Sequence, residues 1–226
     1  MRFDRRRFLR KSAMAGTGLL GYHNIPAMTL PIPPGTIPVV MATWDNAPAV
    51  QAAADTIEKG KDALDAVEAG ARVPEADPMD KSVGYGGLPD ADGIVTLDAC
   101  IMDHLGNAGA VTYLQHIKHP VSVARKVMEE TPHVMLSGQG ALEFALEQGF
   151  KKENLLTEES IQDWERWSRE KKPFGETNFE NHDTIGILAI DRNNNIAGAC
   201  TTSGMAYKRH GRVGDSPIIG AGMYVD

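Results

Sequence analysis

A β-hairpin pattern near the C-terminal end constrains the fold of this sequence most strongly. Two apolar runs rich in β-branched side chains, at 184–190 and 196–202, flank an Asp-Arg-Asn-Asn-Asn segment. Such runs predict strands, and asparagine tolerates the positive φ angles of hairpin turns, so the two strands are expected to pair. The preceding segment, 171–183, is polar and aperiodic, which predicts an exposed linker. The chain therefore passes from a linker directly into a strand at Thr184.

Helical and strand periodicities alternate upstream of this linker. Apolar side chains at helical spacing predict helices, and short β-branched runs predict buried strands. The predicted helices cover residues 47–59, 62–71, 120–130, 141–148 and 157–169, and the predicted strands cover residues 37–43, 94–102, 108–114 and 134–136. The first two helices are expected to pack on one face of a sheet. Trp164 and Trp167 lie three residues apart on one helix face, which favours a packing role over a binding site.

The N-terminal 30 residues differ in charge from the rest of the chain. They hold six Arg or Lys residues and the single acid Asp4. Adjacent arginines, Arg5 and Arg6, precede a Phe-Leu pair and then a Gly/Ala-rich stretch. This order is similar to the twin-arginine export signal of bacteria, which predicts that residues 1–30 direct the protein to the periplasm or to secretion. The alternative is a basic N-terminal helix that stays attached.

Charge and cysteine content exclude several classes of protein. The whole chain has a formal charge of −7, and without residues 1–30 the remainder carries −12. So acidic a body disfavours binding to a phosphate backbone, and no nucleic-acid partner is expected. Two cysteines, Cys100 and Cys200, are too few for a disulfide scaffold and do not have metal-ligand spacing. No run approaches the ~18 to 20 continuous apolar residues of a membrane-spanning helix, so no membrane partner is expected.

Thr184 is a candidate nucleophile because of where it lies. A threonine hydroxyl is a weak nucleophile and needs an adjacent base. Cleavage of the bond between Asp183 and Thr184 would turn Thr184 into a chain terminus, whose α-amine titrates near ~7.7–8.0 and suits that task. The hydroxyl can attack the preceding carbonyl, shift the acyl group from nitrogen to oxygen, and leave a free amine after hydrolysis of the ester. The alternative is that Asp183 is a loop acid that caps a strand.

Two further features follow the hairpin. Thr202 ends the second predicted strand, so its hydroxyl is expected beside Thr184, although threonine also favours strands for its β-propensity alone. Arg212 and Asp215 lie three apart between glycines. Arginine offers a fork for a carboxylate and aspartate accepts from an ammonium group, so the pair matches the two ends of a free amino acid. The alternative is an ion pair within the loop.

Three motifs in this order resemble the glycosylasparaginase family of N-terminal nucleophile hydrolases. They are His-Asp-Thr-Ile-Gly at 182–186, Thr-Thr-Ser-Gly-Met-Ala-Tyr-Lys at 201–208 and Gly-Arg-Val-Gly-Asp-Ser-Pro-Ile-Ile-Gly-Ala-Gly at 211–222. Further matches lie at 43–44, 60–68, 82–87, 97–103 and 131–136, so the resemblance spans residues 37–226. The sister group of plant-type asparaginases and isoaspartyl peptidases usually has glycine where this chain has Asp183.

The resemblance implies an α+β fold, the four-layer αββα sandwich of this superfamily. It implies an α-subunit at residues 31–183 and a β-subunit of which residues 184–226 are the first part. The Thr-Gly segment of the family's oxyanion hole is expected beyond Asp226. By position, the resemblance implies that Thr184 is the nucleophile and new N-terminus, that the carbonyl of Asp183 is attacked during self-cleavage, and that Thr202 is the second active-site threonine. It also implies that Arg212 holds the α-carboxylate of the substrate, that Asp215 holds its α-amine, and that Trp44 helps to position the substrate.

The activity implied is hydrolysis of the amide bond between an asparagine side chain and N-acetylglucosamine, through an aspartyl ester on Thr184. The resemblance implies no metal and no organic cofactor, a small-molecule substrate, and an αβ heterodimer after processing or a dimer of such heterodimers. One alternative is hydrolysis of free asparagine or of β-aspartyl peptides on the same fold. Another is an inactive, unprocessed fragment, because loss of one oxyanion donor costs ~2.7–4 kcal/mol.

Overall fold

A six-stranded sheet organises the part of the chain that the computed structural model describes, residues 37–170 and 184–226. The strands are β1 (Val39–Ala42), β2 (Leu97–Met102), β3 (Ala108–Leu114), β4 (Met135–Ser137), β5 (Thr184–Ile190) and β6 (Ile196–Thr202). Their order across the sheet is β1-β5-β6-β2-β3-β4. All neighbours are antiparallel except β3 and β4, which are parallel. The hairpin predicted from the sequence is therefore confirmed, and it lies inside the sheet.

Side chains cap the N-termini of the first two described helices. The described helices are α1 (Ala47–Glu58), α2 (Ala63–Ala76), α3 (Pro120–Glu130), α4 (Gly138–Glu147) and α5 (Glu158–Glu170). Asn46 accepts the backbone N–H of Ala49 at 3.0 Å and Asp62 accepts that of Asp65 at 2.8 Å. Such caps satisfy N–H groups that the first turn of a helix leaves without a partner. Pro120 opens α3, at a position that proline tolerates.

One face of the sheet packs against helices. Alternate residues of β5, namely Ile185, Ile187 and Ala189, are fully or almost fully buried and belong to the same core cluster as the apolar faces of α1 and α2. A Cβ on Gly70 of α2 would lie 3.0 Å from Ile187 Cδ1, so glycine permits the close approach of this helix. The expected packing of the first two helices on one face of the sheet is confirmed.

The opposite face of the sheet carries different side chains. Cys100 of β2 and Cys200 of β6 are buried there beneath Met223 and Val225 of the C-terminal segment. Towards β1 the cover is less complete, because Leu188 remains 38% exposed. Thr184 lies four residues before Leu188 and Thr202 lies two residues after Cys200, so both threonines are on this same face. A functional site at these threonines therefore opens away from the helices.

Several boundaries differ from those predicted, and two of these differences have a visible cause in side-chain contacts. Strand β2 begins at Leu97 rather than at 94, because Asp90 Oδ1 accepts the backbone N–H of Ile94 at 3.0 Å and keeps that residue in a turn. Helix α2 continues to Ala76 rather than ending at 71. Its last turn is held by Glu75, whose buried carboxylate accepts from Thr201 Oγ1 at 2.7 Å. Both differences are caused by side-chain hydrogen bonds, which the periodicity of the sequence does not reveal.

The predicted α+β class is confirmed, and the described residues form a single sheet with helices on one face. The four-layer sandwich stays a prediction. The predicted packing role of the two tryptophans is confirmed: Trp164 Nε1 donates to Ala91 O at 3.2 Å, and the Trp167 ring stacks on Tyr207 at 4.7 Å. Among the described helices none is both long and apolar enough to cross a membrane.

Three predictions fall on residues that the structure does not describe. They concern the export signal at 1–30, the linker at 171–183 and the self-cleavage residue Asp183. The boundary between an α-subunit at 31–183 and a β-subunit from 184 also stays a prediction.

Candidate active site

The register of three neighbouring strands places polar side chains in one row. Thr184, the first residue of β5, lies opposite Thr202, the last residue of β6, and Thr202 lies opposite Asp98 of β2. Residues opposite one another in antiparallel strands share a face of the sheet. The row lies on the face away from the helices, at the end of the sheet where the chain enters β5.

The hydroxyl of Thr184 contacts two other hydroxyls. Its Oγ1 donates to Thr202 Oγ1 at 3.0 Å and lies 3.2 Å from Ser216 Oγ. Thr202 Oγ1 also accepts the backbone N–H of Gly204 at 2.8 Å, which fixes the orientation of its side chain. Within the described residues, neither an imidazole nor a carboxylate forms a hydrogen bond with Thr184 Oγ1. Since a hydroxyl is not a base near neutral pH, these neighbours can orient Thr184 but cannot deprotonate it.

The backbone of Thr184 is held by the segment that follows β1. Trp44 Nε1 donates to the carbonyl oxygen of Thr184 at 2.8 Å. Thr43 extends the pairing of β1 with β5, because its N–H donates to Gly186 O at 2.9 Å and its Oγ1 accepts from Gly186 N at 3.0 Å. The first residues of β5 are therefore anchored from the side of β1 independently of the residues that precede Thr184.

A cavity of about 260 Å³ opens beside these groups. Its lining consists of Thr43, Trp44, Thr184, Gly186, Cys200 and Gly222. Two of the six are glycines, and a Cβ on Gly186 would lie 3.0 Å from Thr43 Cγ2, so a larger residue there would narrow the cavity. None of the six side chains carries a formal charge. A charged ligand would therefore need charged partners from an adjacent loop.

Arg212 and Asp215 lie in such a loop. Both are exposed. Arg212 Nη1 lies beside Gly204 and Gly214, where added Cβ atoms would be 3.4 Å and 3.1 Å away. Asp215 directly precedes Ser216, whose hydroxyl contacts Thr184. In the described loop, Arg212 and Asp215 form no ion pair with each other. The charge of Arg212 acts on Asp98 and Lys208, and that of Asp215 acts on Cys200, so both charges lie near the row of polar side chains.

The structure thus brings three of the predicted site residues into direct contact, namely Thr184, Thr202 and Trp44. It places Arg212 and Asp215 on the loop that leads to the site. Asp183 lies outside the described residues.

Sequence reasoning missed Ser216, Asp98 and Lys208. Asp98 is fully buried, and burial raises its pKa, although the positive charge of Lys208 acts to lower it. Lys208 Nζ lies 4.0 Å from Asp98 Oδ2 and donates to Ser203 O at 2.9 Å, and burial lowers the pKa of this lysine. The two-residue period of β2 would have placed Asp98 on the face of Cys100, but no sequence signal indicates that Ser216 folds back onto Thr184.

The two cysteines lie directly opposite each other in β2 and β6, and both are free thiols. Burial raises the pKa of Cys200 to about 11 and also raises that of Cys100. Cys100 Sγ donates to Ser216 O at 3.1 Å. A buried thiol with a raised pKa is a packing group rather than a nucleophile. Within the described parts of the chain, no group of three or more His, Cys, Asp or Glu could hold a metal ion.

Comparisons with known proteins show which sequences this chain is similar to. The model of a family described as Asparaginase matches residues 38–226. The chain is 55% identical to a protein of Elizabethkingia miricola named N(4)-(β-N-acetylglucosaminyl)-L-asparaginase, over the whole chain and 68% of that relative. It is 39% identical to a mouse protein of the same name, over 84% of this chain and 64% of the relative, and 37% identical to a rat protein of that name, over 90% and 70%. The chain spans about two thirds of the length of these curated relatives.

Proposed function

Because the chain belongs to the asparaginase family of amide hydrolases, we propose that it cleaves the bond between an asparagine side chain and N-acetylglucosamine. The names of the relatives support the substrate class. The threonine site supports the mechanism, which uses Thr184 as an N-terminal nucleophile.

The observation that carries this proposal is the surroundings of the Thr184 hydroxyl. Its described hydrogen-bond partners are the hydroxyls of Thr202 and Ser216, and neither can act as a base. A base must therefore come from elsewhere, and an α-amine on Thr184 itself would lie next to the hydroxyl. Cleavage between Asp183 and Thr184 creates that amine. The anchoring of Thr184 O by Trp44 supports a site that keeps its geometry after this bond is cut.

Self-cleavage begins with attack of Thr184 Oγ1 on the carbonyl carbon of Asp183. The C–N bond breaks as the acyl group moves to the hydroxyl oxygen, and the proton lost by the hydroxyl ends on the nitrogen of Thr184, which becomes an amine. Water then hydrolyses the ester, which releases the carboxyl group of Asp183 and frees the Thr184 hydroxyl beside the α-amine. Thr202 and Ser216 orient the hydroxyl for the attack, which is the role that their distances of 3.0 Å and 3.2 Å allow.

Turnover repeats this chemistry on a substrate. The α-amine takes the proton of the Thr184 hydroxyl, and the oxygen attacks the side-chain amide carbon of the glycosylated asparagine. The protonated amine gives its proton to the departing nitrogen of the sugar, which leaves an aspartyl ester on Thr184. Water, deprotonated by the same amine, then releases aspartate. Arg212 binds the α-carboxylate and Asp215 the α-ammonium group of the substrate, since the two side chains are exposed and do not pair with each other in the described loop.

We also propose the four-layer αββα arrangement and the assembly that accompanies processing. The face of the sheet that holds Thr184 leaves Leu188 exposed by 38% and Met41 by 59%, which supports a further layer on that face. Residues 31–183 would form the α-subunit, and the β-subunit would begin at Thr184. The two would stay together as an αβ heterodimer or as a dimer of heterodimers, because β1 pairs with β5 across the cleavage site.

Substrate preference separates the proposed function from its alternatives. We expect the purified full chain to release aspartate from N4-(N-acetylglucosaminyl)-asparagine with a kcat/KM at least about tenfold above that for free asparagine, because a bound sugar adds contacts that asparagine cannot make. The measurement is steady-state release of aspartate from both substrates and from a β-aspartyl dipeptide. Faster hydrolysis of asparagine or of the dipeptide would assign the asparaginase or β-aspartyl peptidase activity instead. An intact chain without product would indicate an unprocessed fragment.

Export is proposed from the N-terminal arginines. Replacing Arg5 and Arg6 by lysine should retain the protein in the bacterial cytoplasm, because twin-arginine transport depends on both guanidinium groups. The measurement is the fraction of protein in the periplasm after osmotic shock. A matched control replaces Arg10 and leaves the adjacent pair intact. Equal periplasmic yields of the double variant and the wild type would contradict this proposal.

A further inference from the structure

A chain of hydrogen bonds ties the loop of Arg212 and Asp215 to the sheet. His210 Nδ1 lies 2.6 Å from Asp90 Oδ2, and His210 Nε2 lies 2.5 Å from the hydroxyl of Tyr113. The two rings also meet edge to face, with centroids 5.3 Å apart and planes at 89°. None of these residues contacts Thr184, and the mechanism above does not use them.

The direction of these hydrogen bonds follows from the chemistry of the groups. The Asp90 carboxylate only accepts, so His210 Nδ1 carries a proton. In the neutral ring Nε2 then accepts from the Tyr113 hydroxyl. Asp90 is fully buried, and its other oxygen accepts the N–H groups of Asp92 and Ile94 at 2.9 Å and 3.0 Å. The carboxylate is therefore fixed by its own turn and provides a rigid anchor for the imidazole.

Tyr113 is held at both ends. Its φ angle is +54°, in the left-handed region that a non-glycine residue rarely adopts, and its N–H donates to Asp98 Oδ1 at 2.8 Å. Asp98 is the residue opposite Thr202 in the row of the active site. An uncommon backbone conformation persists where the surroundings fix it, and it is frequent at functional sites. The Tyr113 hydroxyl is thereby aimed at His210 from the edge of the threonine row.

The loop itself has few other fixed points on the side of Arg212. Tyr207 N donates to Pro89 O at 2.9 Å and Ala91 N donates to Lys208 O at 2.8 Å, so the backbone is held up to Lys208. Beyond that point the Arg212 N–H bonds only within the turn, to Arg209 O at 2.9 Å. His210 is in the middle of this turn. Its side chain joins the turn to the rest of the protein through hydrogen bonds to Asp90 and Tyr113.

We propose that His210 and Tyr113 are positioning residues, which hold the turn so that Arg212 and Asp215 meet the amino-acid end of the substrate. This inference rests on the proposed function, in which that pair binds the α-carboxylate and α-ammonium groups. It assigns to the two residues an effect on binding and none on the chemistry at Thr184, because neither touches the nucleophile or its hydroxyl partners.

The test removes one hydroxyl. In the processed full chain, Tyr113→Phe is expected to raise the KM for glycosylated asparagine and the Kd for L-aspartate by the same factor, about tenfold, with kcat within about twofold of wild type. His210→Asn keeps an amide near the position of Nδ1 and loses the contact with Tyr113, so it should match Tyr113→Phe. The double variant should have the same KM and Kd as either single variant, because both substitutions remove the same contact.

Tyr207→Phe is the matched control, since it deletes the same hydroxyl from a tyrosine that precedes the same turn and stacks on Trp167. Its KM and Kd are expected to equal those of wild type.

The inference is wrong if the two Tyr→Phe variants behave alike, or if Tyr113→Phe lowers kcat and the melting temperature while KM stays constant. Calorimetric titration with L-aspartate measures the Kd and therefore tests the position of the turn in the absence of catalysis. A wild type that binds L-aspartate but releases none from the glycosylated substrate contradicts the proposed function and leaves the inference to be judged by the Kd values alone. A wild type that does neither overturns both.

Discussion

Thr184→Ala is expected to remain a single chain and to lose at least about 10⁴-fold of its amide hydrolysis, because the variant has neither the hydroxyl that attacks Asp183 nor a free α-amine. The wild type should separate under denaturing conditions into two fragments, the smaller beginning Thr-Ile-Gly-Ile-Leu. Intact mass and N-terminal sequencing measure cleavage, and release of aspartate measures turnover.

Two control variants sharpen this experiment. Thr184→Ser keeps a hydroxyl at the same position and should still be cleaved. Thr56→Ala removes a threonine hydroxyl from α1, where it bonds only to the carbonyl of Ala52 at 2.8 Å, and should be processed and active like wild type. A wild type that is intact by mass and yet hydrolyses the substrate would refute the N-terminal nucleophile mechanism.

Arg212→Ala and Asp215→Ala are each expected to lower kcat/KM for glycosylated asparagine by at least ~100-fold, equivalent to about 2.7 kcal/mol. The substrate carries one carboxylate and one ammonium group at its amino-acid end, and a charge that binding buries without its partner is costly, on the order of 3–5 kcal/mol. Both side chains are exposed in the structure, so their truncation should spare the fold. The measurement is steady-state kinetics on enzyme whose processing has been verified by mass.

Substrate analogues assign each charge to its partner. For an analogue with a blocked α-carboxylate, Arg212→Ala should lower kcat/KM by a smaller factor. For an analogue with a blocked α-amine, Asp215→Ala should lower kcat/KM by a smaller factor. Arg209→Ala truncates another exposed arginine of the same loop and should leave kcat/KM near that of wild type. Unchanged kcat/KM in both Arg212→Ala and Asp215→Ala would mean that neither residue binds the substrate.

The hairpin could be predicted because its information is local. Strands β5 and β6 have the predicted bounds, since β-branched runs and an Asn-rich turn act over neighbouring residues. With a five-residue connection between seven-residue strands, Thr184 falls opposite Thr202, so the contact of the two hydroxyls followed from the sequence. The end of α2 and the start of β2 were predicted less well, because Glu75 and Asp90 fix them through side-chain contacts.

The sequence by itself determined which segments become strands and helices, and that a threonine begins a strand directly after a polar segment. Only the tertiary structure decided what surrounds that threonine. Trp44 reaches Thr184 O across 140 positions of the chain, and Ser216 reaches its hydroxyl across 32. Periodicity records what adjacent residues prefer, whereas the pairing of β1 with β5 and of β6 with β2 is set by packing the whole core. That packing aligns Asp98 with Thr202, and no local pattern carries the register between strands so far apart in sequence.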